Sequence, residues 1–376
     1  MATVFHRRAG VALSIALLAA PVCADALYAV DKRSTWQESL SDKLAHVETE
    51  LSGEVGVYIE DLHSGESFSW RAGEPWYLAS LIKVPVAVEV LARVEAGEFS
   101  LDDRMTLTRE DYIDGAGETN WHEPGSRLRI DFLLEQMLTH SDNTATDLLI
   151  RLVGQDAVNQ RARAMVAEAG GDPAALGRIT TLADVRRHLY GELHPGAFEL
   201  SGMDFIDLRR TGSLAARVAA FADRLGVAES DLRLPDYASA FDAYEAEGLN
   251  TGHLSAFGAL LAALYHGDAG LREISRDTLI AVMRLTTTGE QRLKAGFPES
   301  IRFAHKTGTQ YRRSCDAGIA EPRTQVQDET QAQNRNQAWV VVACARGPAA
   351  VSAHERALGA IGSAMTISGV FSQDGS

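Results

Sequence analysis

The stretch Ala79-Ser80-Leu81-Ile82-Lys83-Val84-Pro85-Val86 leads directly into an apolar segment, Val84 to Val94, that repeats at helical spacing. The pattern predicts a buried helix with Ser80 and Lys83 at its start, on one face because they are three residues apart. A hydroxyl and an amine placed in this way form a nucleophile and its base. The helix dipole at that end stabilises negative charge and disfavours the ammonium. We therefore expect the rest of the chain to be organised around Ser80.

The composition is that of an ordinary globular protein. The chain has 376 residues, of which 45% are hydrophobic and 23% are charged, so it has ample apolar material for one large or two small domains. The formal net charge is −15. Because phosphate binding requires a basic surface, this charge disfavours a nucleic-acid partner.

The N-terminal segment has the pattern of a cleavable secretion signal. His6-Arg7-Arg8 is basic, Ala9 to Val22 is apolar but too short to span a bilayer, and Val22-Cys23-Ala24 is a small-residue cleavage site. The pattern predicts a signal peptide over residues 1–24 and a periplasmic or secreted protein. Cys23 leaves a lipoprotein anchor open as an alternative. Since no later segment is long and apolar enough to be transmembrane, we expect no stable insertion into the membrane.

Removal of that signal would leave two cysteines, Cys315 and Cys344. Both lie in strand-like segments, on either side of a polar stretch from Glu321 to Gln337. In an oxidising compartment two thiols often form a bond with each other. A disulfide and a pair of small buried thiols are both compatible with the sequence.

Strand patterns occur at the two ends of the chain, and helix patterns lie mostly between them. Alternation of apolar and polar residues predicts a strand over 54–60. Strand-like stretches also occur over 66–70, 301–309, 315–320 and 338–345, and the last is the most hydrophobic. Helical spacing predicts helices over 34–51, 80–96, 131–139, 143–153, 156–169, 182–191, 213–225, 252–266, 273–284 and 352–367.

The simplest arrangement of these elements is an α+β fold. It has one five-stranded, mainly antiparallel sheet with packed helices, plus an inserted all-helical domain. We place the sheet domain at 25–72 and 286–376 and the helical domain at 73–285. The active cleft is expected between the two domains, where pockets are common.

A second motif, Ser141-Asp142-Asn143, follows the predicted helix 131–139. By itself it is a good capping sequence for the helix that comes next. The catalytic alternative places the Ser141 hydroxyl opposite Ser80, where it can pass a proton to a leaving nitrogen. The motif alone does not decide between the two roles.

A third motif, Lys306-Thr307-Gly308-Thr309, lies at the end of a predicted strand. A lysine and hydroxyls at such a place can bind a substrate carboxylate. Gly308 allows the backbone to approach a ligand closely. The N–H groups of Thr309 and Ser80 can then form an oxyanion hole.

Together, in this order and at these distances, the three motifs resemble the class A β-lactamase and penicillin-binding-protein superfamily. Ser141 to Leu149 is similar to the family's segment after its second motif. Met283 to Pro298, leading to His305-Lys-Thr-Gly-Thr309, is similar to class A in particular. The likeness covers about residues 35–155 and 250–367. It implies the sheet-plus-helical-domain fold and neither a metal nor a cofactor.

The resemblance also implies a role for each matched residue. The catalytic steps would fall to Ser80 as the acylated nucleophile, Lys83 as its base and Ser141 as the proton relay. The substrate contacts would come from Asn143, Lys306, Thr307, Gly308 and Thr309.

The family's deacylating glutamate has no clear counterpart in this chain. In class A it lies in a loop of the form Glu-x-x-Leu-Asn, a few tens of residues after the second motif. That spacing falls near Gly177, where no such motif occurs, and the chain beyond is longer than the family implies, with extra residues at about 171–249. We take Glu245, within Asp242 to Asn250, as the candidate base. A solvated acidic turn is the alternative.

The sequence therefore predicts a serine β-lactamase-like hydrolase that opens β-lactam amides through an acyl-enzyme on Ser80. Without a working glutamate, the chain would be a penicillin-binding D,D-peptidase or an esterase-like serine hydrolase. A non-catalytic exported binding protein that keeps the fold is a third alternative. The expected partner is a small β-lactam or a peptidoglycan-like molecule, and the expected oligomeric state is a monomer.

Overall fold

The computed structural model describes residues 1–2, 35–323 and 337–372. Its α-helices are α1 (Thr35–Leu51), α2 (Lys83–Glu95), α3 (Ile130–Thr139), α4 (Asn143–Val153), α5 (Gln155–Glu168), α6 (Leu182–Gly191), α7 (Gly202–Arg209), α8 (Leu214–Leu225), α9 (Tyr237–Ala246), α10 (Leu254–His266), α11 (Glu273–Arg284), α12 (Leu293–Gly296) and α13 (Val351–Ser368). Its strands are β1 (Glu54–Asp61), β2 (Ser67–Trp70), β3 (Pro75–Tyr77), β4 (Arg104–Thr106), β5 (Arg127–Arg129), β6 (Thr251–His253), β7 (Ile301–Gln310), β8 (Arg313–Pro322) and β9 (Trp339–Arg346). Nearly all of the predicted signal peptide at 1–24, and most of the predicted polar stretch at 321–337, lie outside the described residues.

The main sheet has five strands in the order β2-β1-β9-β8-β7, and every neighbouring pair is antiparallel. Two of its strands come from the N-terminal end of the chain and three from the C-terminal end. The ends meet where β1 pairs with β9, with Val57 opposite Ala343. The predicted five-stranded sheet with packed helices is therefore confirmed.

The two faces of the sheet contribute to different cores, because side chains alternate along each strand. In β9, Val340 and Val342 join the core under the helical block, whereas Val341 and Ala343 join the core formed with α1 and α13. A strand that is buried on both faces needs apolar residues at successive positions. This burial accounts for the uninterrupted hydrophobic sequence of β9.

The extra residues at 171–249, which we call the insert lobe, form a helical unit with a core of their own. The helices α6 to α9 enclose a cluster rich in aromatic side chains: Tyr190, Phe205, Phe221, Tyr237, Phe241 and Tyr244. Tyr77 and Ala79, which come just before Ser80, belong to the same cluster. The lobe therefore packs directly behind the turn that carries the predicted nucleophile.

Two helices of the insert lobe, α7 and α9, are absent from the sequence prediction. α9 begins after Asp236, whose side chain accepts a hydrogen bond from the Ser239 N–H at 2.8 Å. It buries Tyr237, Phe241 and Tyr244, which are spaced as one face of a helix. Glu245 lies in the last turn of this helix, so the predicted loop around it is wrong.

The two cysteines Cys315 and Cys344 lie opposite each other on β8 and β9 and form a disulfide. Of the two alternatives compatible with the sequence, the structure therefore contains the bond. Disulfides persist mainly in oxidising compartments. Among the helices of the described ranges, none combines the length and the apolarity needed to cross a membrane.

Candidate active site

Ser80 lies in a tight turn between β3 and α2. Residues Ala79–Ile82 form one turn of 3₁₀ helix that leads directly into α2 at Lys83, close to the predicted helix start. Ala79 has a φ of +48°, and such a left-handed conformation costs about 1–3 kcal/mol for a residue with a side chain. The Leu78 N–H donates to the Asn250 carbonyl at 2.9 Å, which holds the turn against the end of the insert lobe.

The Lys83 side chain is completely buried, and its amine has only neutral oxygen atoms as hydrogen-bond partners in the described residues. It donates to the Ser141 carbonyl at 2.7 Å, to Ser141 Oγ at 3.2 Å and to Asn143 Oδ1 at 2.8 Å. Burial lowers the pKa of Lys83 to about 7, although the nearby carboxylates of Asp142 and Asp147 oppose the shift. A large fraction of the amine is therefore neutral at neutral pH.

The Ser141-Asp142-Asn143 motif both caps a helix and contributes to the site. Asp142 is the N-cap of α4, where its carboxylate accepts from the Ala145 N–H at 2.9 Å. Ser141 has a φ of +62°, and this conformation directs its carbonyl and its hydroxyl to Lys83. The two roles proposed for this motif are therefore compatible, since they belong to different side chains.

Lys306 on β7 is the second fully buried lysine of the site. Its amine donates to the Thr307 carbonyl at 3.0 Å, and none of the ion pairs among the described residues involves it. Burial lowers its pKa well below the usual range, and the positive charges of Lys83 and Arg292 act in the same direction.

Gly308 brings β7 into contact with the turn that carries Ser80. A Cβ atom at this position would lie 2.6 Å from the Leu78 carbonyl oxygen and 3.4 Å from the Ser80 nitrogen. Only glycine therefore permits this approach without displacement of the backbone. The contact places the backbone of Thr309, the next residue on β7, beside that of Ser80, as an oxyanion hole of these two N–H groups requires.

Arg292 is a buried residue of the site that the motif search did not identify. Its guanidinium donates to the carbonyl oxygens of Gly308 and Cys315, at 2.8 Å each, and to Thr309 Oγ1 at 2.6 Å. It therefore fixes the position of β7 relative to β8. The Thr309 hydroxyl accepts from this arginine, and its own O–H can still donate to a substrate carboxylate, as predicted for Thr309. The sequence did contain one signal, since Arg292 lies within the class A-like segment from Met283 to Pro298.

Glu245 is not part of the hydrogen-bonded cluster around Lys83. Its carboxylate forms an ion pair with the Arg313 guanidinium on β8, with Arg313 Nε at 3.1 Å from Oε2. In the described part of the chain it makes no hydrogen bond with Ser80, Lys83 or Ser141. Lys83 and Ser141 share one hydrogen-bonded cluster, whereas Glu245 belongs to a different set of contacts. Among the described residues, Ser80 Oγ makes no hydrogen bond with Lys83 or Ser141.

The spacing of the family would place a deacylating glutamate near Gly177. Leu182, an apolar residue, lies a short distance after that point in the chain. α6 begins at Leu182, and the N–H groups of Leu182 and Ala183 donate to the Asp147 carboxylate at 2.7 and 2.9 Å. Partial burial raises the pKa of Asp147 to about 7, while these two N–H groups oppose the shift. Asp147 follows Asn143 by one turn on the same face of α4.

A second contact locates the first turns of α6 near Lys83. Arg186, one turn after Leu182, forms a buried ion pair with Asp114 at 2.6 and 3.0 Å. The Asp114 carbonyl accepts from Asn143 Nδ2 at 2.7 Å, and the charge of Arg186 contributes to the lowered pKa of Lys83. The start of α6 therefore packs beside the cluster of Lys83 and Asn143.

Comparison with known proteins agrees with this geometry. A profile of the β-lactamase enzyme family matches residues 39–171 and 208–327. A β-lactamase of Rhodobacter capsulatus is 34% identical over 139 residues, which are 37% of this chain and 45% of that protein. The chain thus spans less than half the length of this curated relative. The unmatched residues 172–207 are the first half of the insert lobe.

Solved structures are similar over most of the chain. A β-lactamase from Sphaerobacter thermophilus superposes with a TM-score of 0.61 and 21% identity, over 89% of this chain and 98% of that one. The structure of PBP-A superposes with a TM-score of 0.59 and 21% identity, over 88% of this chain and 96% of that one. The fold is therefore that of the class A β-lactamases. Because the profile matches well over half of the sequence and all three motifs lie within it, the chain belongs to the β-lactamase enzyme family.

Proposed function

We propose that this chain is a serine hydrolase that β-lactams acylate at Ser80. The state of Lys83 is the observation that supports this most strongly. Its amine is fully buried, its pKa is lowered to about 7, and it donates to Ser141 Oγ and Asn143 Oδ1. An amine that is about half neutral at pH 7, one helical turn after a serine, can accept the proton of the serine hydroxyl.

Acylation then follows from the positions of the other groups. Ser80 Oγ transfers its proton to Lys83 and attacks the amide carbonyl carbon of the β-lactam ring. The carbon–nitrogen bond breaks, and Ser141 passes a proton to the leaving nitrogen. The N–H groups of Ser80 and Thr309 hold the oxyanion, and each such donor is worth about 3 kcal/mol of barrier. Lys306 receives the carboxylate of the substrate.

The test is intact-mass detection of an adduct after incubation of the protein with benzylpenicillin. We expect one added penicillin mass per chain, and none in Ser80→Ala. Ser64→Ala is the matched control, because Ser64 lies in the exposed turn between β1 and β2 and should leave the adduct unchanged. Absence of an adduct in the unaltered protein, or its persistence in Ser80→Ala, contradicts the proposal.

The placement of two residues favours slow deacylation over rapid β-lactam turnover. Glu245, the predicted activator of water, is neutralised by Arg313. Leu182, which is apolar, lies near the point expected for the family's glutamate, with its N–H on the Asp147 carboxylate and its side chain in the core of the insert lobe. We therefore infer a penicillin-binding type of serine hydrolase, in which the acyl-enzyme persists. The PBP-A neighbour has a variant whose structure is an acyl-enzyme complex with penicillin G.

The lifetime of the adduct separates the two functions. After removal of free penicillin, we expect the adduct mass to persist in the unaltered protein. Leu182→Glu should shorten its lifetime at least about tenfold, because a carboxylate at this position can act as a general base. Leu182→Gln introduces a side chain of the same size as glutamate without its charge, and it should leave the adduct lifetime unchanged. Rapid loss of the adduct from the unaltered protein would instead support a β-lactamase.

A further inference from the structure

Three arginines of the insert lobe lie around one acidic residue, Asp114, of the loop before the second motif. The buried Asp114 carboxylate accepts from Arg186 on α6 at 2.6 and 3.0 Å and from Arg209 on α7 at 2.8 Å. Although burial raises it, these two guanidinium groups lower the pKa of Asp114 overall. The carboxylate is therefore ionised and shared between two arginines.

Arg217 on α8 is the third arginine of this set. Its guanidinium lies over the aromatic ring of Tyr237, 5.6 Å from the centroid. Among the described residues it forms no ion pair, and its Nε atom is buried without a hydrogen-bond partner. Arg217 is thus a half-buried cation that has no counter-charge of its own in the described part of the chain.

The packing of the helices brings Arg217 towards the other two arginines. Arg209 ends α7 and Arg217 lies in the first turn of α8, so only the short loop between these helices separates them along the chain. The helices α6 and α8 also contact each other, because Tyr190, one turn after Arg186, packs against Phe221 with ring centroids 5.0 Å apart. Phe221 in turn lies one turn after Arg217.

Arg186, Arg209, Arg217 and Asp114, which we call the arginine cluster, carry more positive than negative charge. Three guanidinium groups face a single carboxylate, and two of them already occupy it. A buried or half-buried charge is costly unless an opposite charge lies beside it. The cluster is open to solvent on one side, because the Arg209 side chain is 60% exposed. These features indicate a place for an anion.

We propose that the arginine cluster is an anion site of the insert lobe, in which Arg209 and Arg217 bind a carboxylate. Asp114 shows that a carboxylate fits these guanidinium groups, since it accepts from both Nε and Nη2 of Arg186. The paired N–H donors of arginine match the two oxygens of a carboxylate. A carboxylate bound there supplies the counter-charge and gives the buried Nε of Arg217 a partner.

The site adjoins the residues of the acylation cluster. The Asp114 carbonyl accepts from Asn143 Nδ2 at 2.7 Å, so its backbone contacts the second motif while its side chain contacts the arginines. The bound carboxylate is therefore either a free small acid or a group carried by a substrate of the hydrolase. Only the second case rests on the proposed function.

Isothermal titration calorimetry of the full chain with malonate, at constant ionic strength, tests the site. We expect saturable binding, and Arg217→Gln should weaken it by about 10–100-fold, as for a lost hydrogen bond to a charged group. Arg224→Gln is the matched control, because Arg224 lies on the same helix and pairs instead with Asp204 and Asp207. Equal binding in all three proteins, or none in the unaltered one, overturns the inference.

Arg209→Gln is a second variant, in case Arg217→Gln fails to fold when its packing on Tyr237 is lost. It should weaken the binding of malonate by a similar factor. A folded Arg209→Gln protein that binds malonate as tightly as the unaltered protein contradicts the site.

Two penicillins identify the source of the carboxylate. Carbenicillin differs from benzylpenicillin by one carboxylate on its acyl side chain. If a substrate carries the bound group, Arg217→Gln should slow acylation by carbenicillin about tenfold relative to benzylpenicillin, measured by intact mass. An unchanged ratio, together with malonate binding in the unaltered protein, assigns the site to a free acid. Failure of the proposed function is a different result, in which neither penicillin acylates the protein and the binding of malonate is unaffected.

Discussion

Lys83 and Glu245 are the two side chains that the sequence analysis takes as bases, and the structure places them in different surroundings. Lys83 is fully buried among neutral oxygen atoms, which leaves its amine able to accept a proton. Glu245 forms an ion pair with Arg313 and lies outside the cluster around Lys83. The comparison indicates that Lys83 shares one hydrogen-bonded cluster with Ser141 and Asn143, whereas Glu245 joins the insert lobe to the sheet.

The difference has a structural origin. Lys83 and Ser141 belong to α2 and to the turn before α4, two elements that pack directly on each other in the main helical core. Glu245 lies at the end of α9, whose position depends on the separate aromatic core of the insert lobe. A residue at the end of a long insertion is placed by the packing of that insertion and not by its distance along the chain from a motif.

The largest expected effect is the loss of acylation rate when Lys83 is replaced. Lys83→Met keeps an apolar side chain of similar length and removes the base, so acylation by benzylpenicillin should slow by about 10²–10⁴-fold. The measurement is the rate of adduct formation by intact mass. Lys43→Met on the outer helix α1 is the control, since Lys43 donates to Ser39 on the same helix. A loss of less than tenfold would remove Lys83 from the role of base.

Gly308→Ala tests the close approach of β7 that acylation requires. The added methyl group would lie 2.6 Å from the Leu78 carbonyl oxygen, so β7 and the Ser80 turn must separate. Displacement of one oxyanion donor should slow acylation by about 10²–10³-fold. Gly73→Ala is the control, because nothing lies within 4 Å of a Cβ at that position. An unchanged rate would show that the oxyanion hole does not depend on this contact.

The pH dependence of acylation tests the lowered pKa of Lys83 directly. Below a pKa of about 7 the ammonium form cannot accept the Ser80 proton, so the rate should fall about tenfold for each unit of pH. Above pH 7 the neutral amine predominates and the rate should reach a plateau. The measurement is the acylation rate between about pH 5 and pH 9. A rate that is constant or that falls as pH rises would contradict Lys83 as a neutral base.

The smallest expected effect on chemistry concerns Glu245. Glu245→Gln should leave the lifetime of the acyl-enzyme unchanged, because the carboxylate is already paired with Arg313. The lost ion pair should lower the free energy of unfolding by about 1 kcal/mol, measured by thermal melting. Glu199→Gln, at an exposed glutamate of the insert lobe, is the control for the loss of one negative charge. A much longer-lived adduct in Glu245→Gln alone would restore Glu245 as the activator of water.

Much of the fold follows from short-range patterns. The five strands and the helices around Ser80 were predicted because each buries a regular apolar face, as α4 and β9 show. α7 and α9 were missed because both are short and lie within an insertion that no motif marks. Tyr237, Phe241 and Tyr244 are spaced as one face of a helix, but this spacing can be recognised only once the bounds of α9 are known.

The sequence by itself determined the nucleophile, its lysine, the capping motif and the strand end with Gly308, because each is a local pattern with a physical function. Only the tertiary structure decided which distant groups meet them. It places Arg292 against the carbonyl of Gly308, the Leu182 N–H on the Asp147 carboxylate, and Glu245 on Arg313. Such pairings depend on how separate cores pack together, and residue spacing along the chain does not encode them.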